Sequence, residues 1–195
     1  MKIIMVGTIT TLEGIERGFY YASGYNRFWN WMDLNIKNSS NTFLTLKSEL
    51  ANNNCSGKTA YEIDLKKKQI RDDFWKALDD KGIAVCDIIK SCWFSPFDST
   101  KDACIMKNKS ILYWDNEIIN ALIKFPKAII CSNSDKVMEI LKCRNFFDKS
   151  YLSKKGLTKW NPNTQIIRIV SPSGANKMHT TPKGNTWKAV FDKYL

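Results

Sequence analysis

Six sites along this chain carry groups able to do chemistry, and their residue types limit what that chemistry can be. Thr8 lies in a turn after an apolar run, where a backbone N–H could hold a carbonyl oxygen. Tyr21 offers an aromatic face that can cover a flat ligand and exclude water, although a core tyrosine is the simpler reading and Phe19 and Tyr20 compete for the same place. Asn26 stands directly before Arg27-Phe28-Trp29 and reads as a helix N-cap. Asp87 is a carboxylate, an acceptor only, and suits a donor edge such as an amine or a ring N–H, although a carboxylate that structures the loop after its strand is a serious competing reading. Ser132, Ser134 and Lys136 stand at a helix start, a natural place for phosphate. Ser171-Pro172-Ser173-Gly174-Ala175-Asn176-Lys177 reads as a turn in which Gly174 permits close approach to the backbone.

Other chemistries lack their residues. The six cysteines include no C-x-x-C pair, and His179 stands alone, so neither a structural zinc site nor an iron–sulfur cluster is indicated. Several cysteines sit in apolar stretches and read as buried free thiols of a reducing compartment. Nothing in the sequence calls for a metal or an organic cofactor. The net charge of +11 points to a polyanionic partner. Residues 149–195 hold eight Lys and one Arg against Asp192 alone, so most of that charge lies in the last quarter of the chain. A solvated basic face is the competing reading.

The elements that must position these residues alternate. Residues 2–6, 83–89, 127–131 and 165–170 read as four buried strands. Helices are expected from near Asn26 through Leu34, over 66–80, after Asp115 with Ile118, Ile119 and Leu122 on one face, from Ser134, and over the last ten residues. In the second of these, Ile70, Phe74 and Leu78 recur every fourth residue and Gly82 follows as a stop. Residues 37–60 read as a loose connection with at most one short helix, and a loop is expected from Lys90 to about Ala103. The pattern predicts one α/β domain over 1–195, a three-layer sandwich with a central, mainly parallel four-stranded sheet flanked by helices. Ligands meet such sheets at the carboxyl ends of the strands, so the loops after residues 6, 88, 131 and 170 should converge. No apolar run is long enough to cross a bilayer and the first residues lack a secretory signal, so an intracellular, cytoplasmic monomer is expected.

At these loops the chain resembles the uracil-DNA glycosylase superfamily. The nearest branch is the hypoxanthine-DNA glycosylases, with features of the mismatch-specific uracil glycosylases. Gly18-Phe-Tyr-Tyr-Ala22 followed by Asn26-Arg-Phe-Trp29 resembles the pattern G-x-Y-Y-A-x-x-x-N-x-F-W. Gly82-Ile-Ala-Val-Cys-Asp87 with Ser91-Cys92 resembles G-I-A-L-W-D-V-x-x-S-C, and Asp98-Ser99 matches a later Asp-Ser. Ser171-Pro-Ser-Gly174 is similar to an Asn-Pro-Ser-Gly. The motifs span residues 6 to about 177 in the family's order.

The resemblance implies base excision from DNA. Cleavage of the glycosidic bond passes through an oxocarbenium-like sugar, and water attacks the anomeric carbon. The resemblance assigns orientation of that water to Asn26. It has Tyr21 stack on the flipped base, the turn at Thr8 hold a base carbonyl, and Asp87 read the base edge. Ser171, Ser173, Gly174, Ala175, Asn176 and Lys177 belong to the loop that enters the DNA, with Ala175 and Asn176 as its wedge. Several relatives carry a catalytic Asp or Asn where this chain has Ile9, which cannot activate water, so the role moves to Asn26. His179 does not occupy the family's catalytic His position. There is no helix-hairpin-helix pattern with a nucleophilic Lys, so a monofunctional enzyme leaving an abasic site is expected. Its partner is double-stranded DNA. The expected target is hypoxanthine, uracil or a modified cytosine such as a hydroxymethylated or glucosylated one, which suits either repair or defence against foreign DNA. A non-catalytic DNA-binding protein on the same fold is the alternative, and a nucleotide or RNA base hydrolase a third.

Overall fold

The computed structural model describes residues 2–8, 14, 19–21, 26–36, 42–51, 59–92, 111–114, 121, 124–125, 127–142, 165–172 and 185–195. Ile9, Ser173 to Lys177, His179, Asp98, Ser99 and the face Ile118-Ile119-Leu122 lie outside them. The chain forms two compact units, Met1–Ile9 with Ile83–Ser171, and Thr10–Gly82 with Pro172–Leu195.

The first unit is built on a parallel sheet. β1 (Ile3–Gly7) is buried along its whole length, which suits a strand covered on both faces. It pairs on one side with β2 (Ile83–Asp87) and on the other with β5 (Ile129–Ser132). β6 (Ile166–Arg168) adds beyond β5, giving the order β2-β1-β5-β6 with every pairing parallel. The four-stranded parallel sheet and the α/β class are those expected. Since all strands run one way, Gly7, Asp87, Ser132 and Arg168 end on the same edge. α4 (Asp135–Lys142) packs against β5 and β6, with Val137, Met138 and Leu141 buried.

One expected strand divides. The apolar run continues through Ile88 and Ile89, but the carbonyls of Gly7 and Thr8 accept from Ile88 N and Ile89 N, each at 3.0 Å. These bonds carry the chain past the end of β1 and out of the sheet. β3 (Ile89–Cys92) then pairs antiparallel with β4 (Ile111–Trp114), where a loop was expected from Lys90.

The second unit is helical. α1 (Phe28–Asn35) and α2 (Thr42–Ala51) pack together, and α2 packs in turn on α3 (Ala60–Asp80). α5 (Asn185–Tyr194) packs on α1. α3 begins six residues earlier than its apolar period because Thr59 and Glu62 form a capping box. Glu62 N donates to Thr59 Oγ1 at 3.3 Å, and Thr59 N donates to Glu62 Oε2 at 2.7 Å. Ile70, Phe74 and Leu78 are buried as the spacing predicts. Gly82, at φ +70°, ends the helix in the left-handed region that glycine occupies without a Cβ clash.

The core of this unit is aromatic. Phe19 lies 4.2 Å from Phe74 and 5.2 Å from Trp29 by ring centroids, and Trp29 lies 4.8 Å from Phe74. The Trp29 indole is not left unsatisfied, since its Nε1 donates to the Tyr20 carbonyl at 3.0 Å. A second aromatic group joins Phe28, Trp31, Trp187 and Phe191. The expected loose connection over 37–60 therefore contains α2, whose Phe43 and Leu50 are buried. Its first turn is held from α1: both Asp33 carboxylate oxygens accept from α2, from Phe43 N at 3.2 Å and Leu44 N at 2.7 Å.

Candidate active site

Within the first unit, the strand-end residues come together as the topology demands. Gly7 is the register partner of Asp87, so the carboxylate stands beside the turn that carries Thr8. Asp87 is 6% exposed and Thr8 7%. A carboxylate so buried is costly unless it is hydrogen-bonded.

Ser132 and Ser134 are buried, and their hydroxyls serve the loop itself. Ser132 Oγ donates to the Val6 carbonyl at 2.8 Å and accepts from Ser134 N at 3.2 Å. Ser134 caps α4: its carbonyl accepts from Met138 N at 3.0 Å, and its Oγ accepts from Val137 N at 3.4 Å. Lys136 is half-exposed and pairs with Glu139 at 2.7 Å. The first turn of α4 already holds a carboxylate. Arg168 Nε donates to Asp135 Oδ1 at 2.6 Å, and this bond holds the Asp135 carboxyl below its ordinary range, with the charges of Arg168 and Lys136 adding to the effect. Of the cysteines, Cys86 and Cys131 are buried free thiols. Burial pushes the Cys131 thiol up to about 12, so it stays protonated and unreactive at neutral pH.

Within the second unit, Asn26 is fixed at the start of α1. The N-cap itself is Arg27, one residue later than expected, and it makes no side-chain cap bond. The Asn26 carboxamide oxygen accepts from Phe28 N at 2.8 Å, an Asx-type bond two residues on. That bond also settles which end of the amide is oxygen, because only oxygen can accept from an N–H. The Asn26 carbonyl accepts from Lys47 Nζ at 2.7 Å, and the next amide, Arg27 N, donates to the Pro172 carbonyl at 3.0 Å. Thus Asn26 and the start of the 171–177 loop, singled out separately in the sequence, are joined by a hydrogen bond through Arg27. Lys47 is absent from the expected site. It lies in the segment read as a loose connection, and no neighbouring motif marks it.

The three adjacent aromatics divide their work. Phe19 is 4% exposed and belongs to the core. Tyr20 is half-buried, with its ring edge-on to Trp75 at 6.0 Å. Tyr21 is half-buried and has φ +53°, the left-handed region that a bulky residue rarely enters. Such a conformation costs about 1–3 kcal/mol and persists where the surroundings over-determine it, often at functional positions. Here it lays the Tyr21 ring parallel on Phe28, with centroids 4.0 Å apart and planes at 4°. One ring face is thereby backed by the core.

Comparison with known proteins gives one point of reference. No protein-family model and no curated protein matches the chain. Among solved structures it is similar to the solution NMR structure of a candidate uracil DNA glycosylase from Methanosarcina acetivorans, at 22% identity and a TM-score of 0.55. The match covers 99% of this chain and 90% of that one. At that identity the likeness is one of fold, a parallel sheet with helices.

Proposed function

We propose that this protein is a monofunctional DNA glycosylase that flips a base from double-stranded DNA, hydrolyses its N-glycosidic bond and leaves an abasic site. The observation that carries the reading is Asn26. It is the residue that the motif order selects for catalysis, and its carboxamide and backbone are both held by hydrogen bonds. The fold likeness to a candidate uracil DNA glycosylase supports the same reading.

In this reading the carboxamide oxygen keeps one lone pair on Phe28 N–H and offers the other to water. Water adds to the anomeric carbon, the base departs with the bonding pair, and the proton that the water loses passes to the departing base anion or to solvent. Tyr21 stacks on the flipped base. The turn at Thr8 holds a base carbonyl. Asp87, as an acceptor, takes the N4 amine of a cytosine or the N1–H of hypoxanthine, which tilts the target toward hypoxanthine or a modified cytosine and away from uracil. DNA contact belongs to Lys136 and to Ser171 through Lys177, with Ala175 and Asn176 as the wedge. Ser132 and Ser134 contribute through the loop they shape. The action is that of a cytoplasmic monomer without cofactor.

The test is base release from duplex and single-stranded oligonucleotides carrying uracil, hypoxanthine, hydroxymethylcytosine or glucosylated cytosine, with alkali to reveal abasic sites. Release of one base, lost in Asn26→Ala while DNA affinity is kept, is the expected result. Tight DNA binding with no release from any of them supports the second reading, a DNA-binding protein without turnover. That reading draws on Asn26 itself, since the turn it closes ahead of α1 is a sufficient role for its side chain.

A further inference from the structure

The Asn26–Arg27 peptide is held at both of its polar atoms. Lys47 Nζ donates to its carbonyl at 2.7 Å, and its N–H donates to the Pro172 carbonyl at 3.0 Å. Lys47 is itself fixed. It lies on α2, whose first turn is tied to Asp33 of α1 through Phe43 N and Leu44 N. The path runs from Asn26 along α1 to Asp33, across to α2, along α2 to Lys47, and back to Asn26. It is a closed ring of two helices and three hydrogen bonds. Within it, the Asn26 backbone is set by an ammonium group rather than by the helix alone. A charge-assisted bond of this length is among the stronger ones available to a carbonyl.

We infer that Lys47 is a positioning residue for Asn26: its ammonium group fixes the backbone from which the carboxamide projects. The inference rests on the proposed role of Asn26 for its consequence in catalysis, though not for its geometry. Lys47 acts through Asn26 and touches neither base nor sugar. Loss of its ammonium leaves the carboxamide present but loosely aimed, and a misplacement of about 1 Å can cost on the order of a hundredfold in rate. Arg at the same position can still donate to the carbonyl and keep the charge.

The experiment has two arms on the full chain, with thermal melting of each variant to establish folding. In the first, single-turnover base release at saturating DNA is compared for wild type, Lys47→Met, Lys47→Arg, Asn26→Ala and the double variant Asn26→Ala/Lys47→Met. Lys47→Met is expected to lose about a hundredfold in rate, with Arg restoring most of it. In the Asn26→Ala background, where no carboxamide remains to be aimed, Lys47→Met is expected to cost nothing more. A Lys47→Met enzyme as fast as wild type, or one that loses DNA affinity alone, overturns the inference. So does a full additional loss in the double variant.

The second arm needs no turnover. The side-chain amide resonances of Asn26 are recorded by proton–nitrogen NMR in wild type, Lys47→Arg and Lys47→Met. One sharp pair in wild type and Arg, shifted or broadened in Met, is expected. An unchanged pair in Lys47→Met overturns the positioning role whatever the rates. A wild-type protein that releases no base, while the pair responds to Lys47→Met, overturns the glycosylase reading and supports the positioning.

Discussion

Tyr21 and Phe28 stack in parallel, 4.0 Å between centroids and 4° between planes, and Tyr21 reaches that stack only through a left-handed backbone. Ring and backbone therefore make opposite contributions to stability. Tyr21→Ala deletes the ring and keeps a Cβ at positive φ, whereas Tyr21→Gly deletes the ring and frees the backbone. The glycine variant is expected to be more stable than the alanine variant by about 1 kcal/mol. Urea unfolding of the pair measures this, and an alanine variant of equal or greater stability would mean that the left-handed conformation carries no strain.

Asp87 is buried beside the turn at Gly7, and a carboxylate there offers no donor. Asn would offer both a donor and an acceptor in nearly the same volume. Under the proposed function, Asp87→Asn shifts release toward uracil relative to hypoxanthine or modified cytosine, by roughly tenfold or more in the ratio. Competition between two labelled duplexes in one reaction reads the ratio directly, and an unchanged ratio removes Asp87 from base recognition.

The Asp135–Arg168 bond gives a pH prediction with a definite sign. Its folded-state carboxyl is lowered by the guanidinium, so its stabilisation is present above the ordinary carboxylate pKa and lost as pH falls through the lowered folded value. The pair is solvent-exposed, so the gap between wild type and Asp135→Asn at neutral pH should be below about 1 kcal/mol. That gap closes as the pH is taken below about 4. Unfolding curves across acid pH test it, and a gap that widens in acid contradicts the assignment.

Phe74 is fully buried against Phe19 and Trp29, while its neighbour Trp75 is 41% exposed. Phe74→Ala is expected to destabilise the protein by about 3–5 kcal/mol. Trp75→Ala should cost markedly less, because much of its surface is already in water. Chemical unfolding of the two variants compares them, and equal losses would argue against the packing described.

Legibility in the sequence followed the range of the physics. The period of Ile70, Phe74 and Leu78 is a local property and was readable; the turn at Asn26 was readable to within one residue, since the cap of α1 falls on Arg27. The early start of α3 was readable too, from Thr59-x-x-Glu62, although an apolar period alone misses it. The turn-off at Ile88 was not. Two further isoleucines look like more strand until the carbonyls of Gly7 and Thr8, far away in the chain, take their amides. Burial of the hydroxyls of Ser132 and Ser134 is likewise non-local, since Ser132 finds its acceptor on Val6. Lys47 is the extreme case: one lysine among many, distinguished only by the carbonyl it reaches. The positive φ of Tyr21 runs against tyrosine's own preference, so no propensity predicts it.

The bond from Arg27 N to the Pro172 carbonyl also orders events during synthesis. A ribosome releases the chain from its amino end, so the asparagine turn emerges early and its partner late. Trp187, which packs edge-on to Phe28, emerges later still. Until then the start of α1 lacks both its long-range hydrogen bond and the cover of the last helix. The turn that carries Asn26 therefore cannot take its final form until residues 172 and 187, made far later in the chain, are in place.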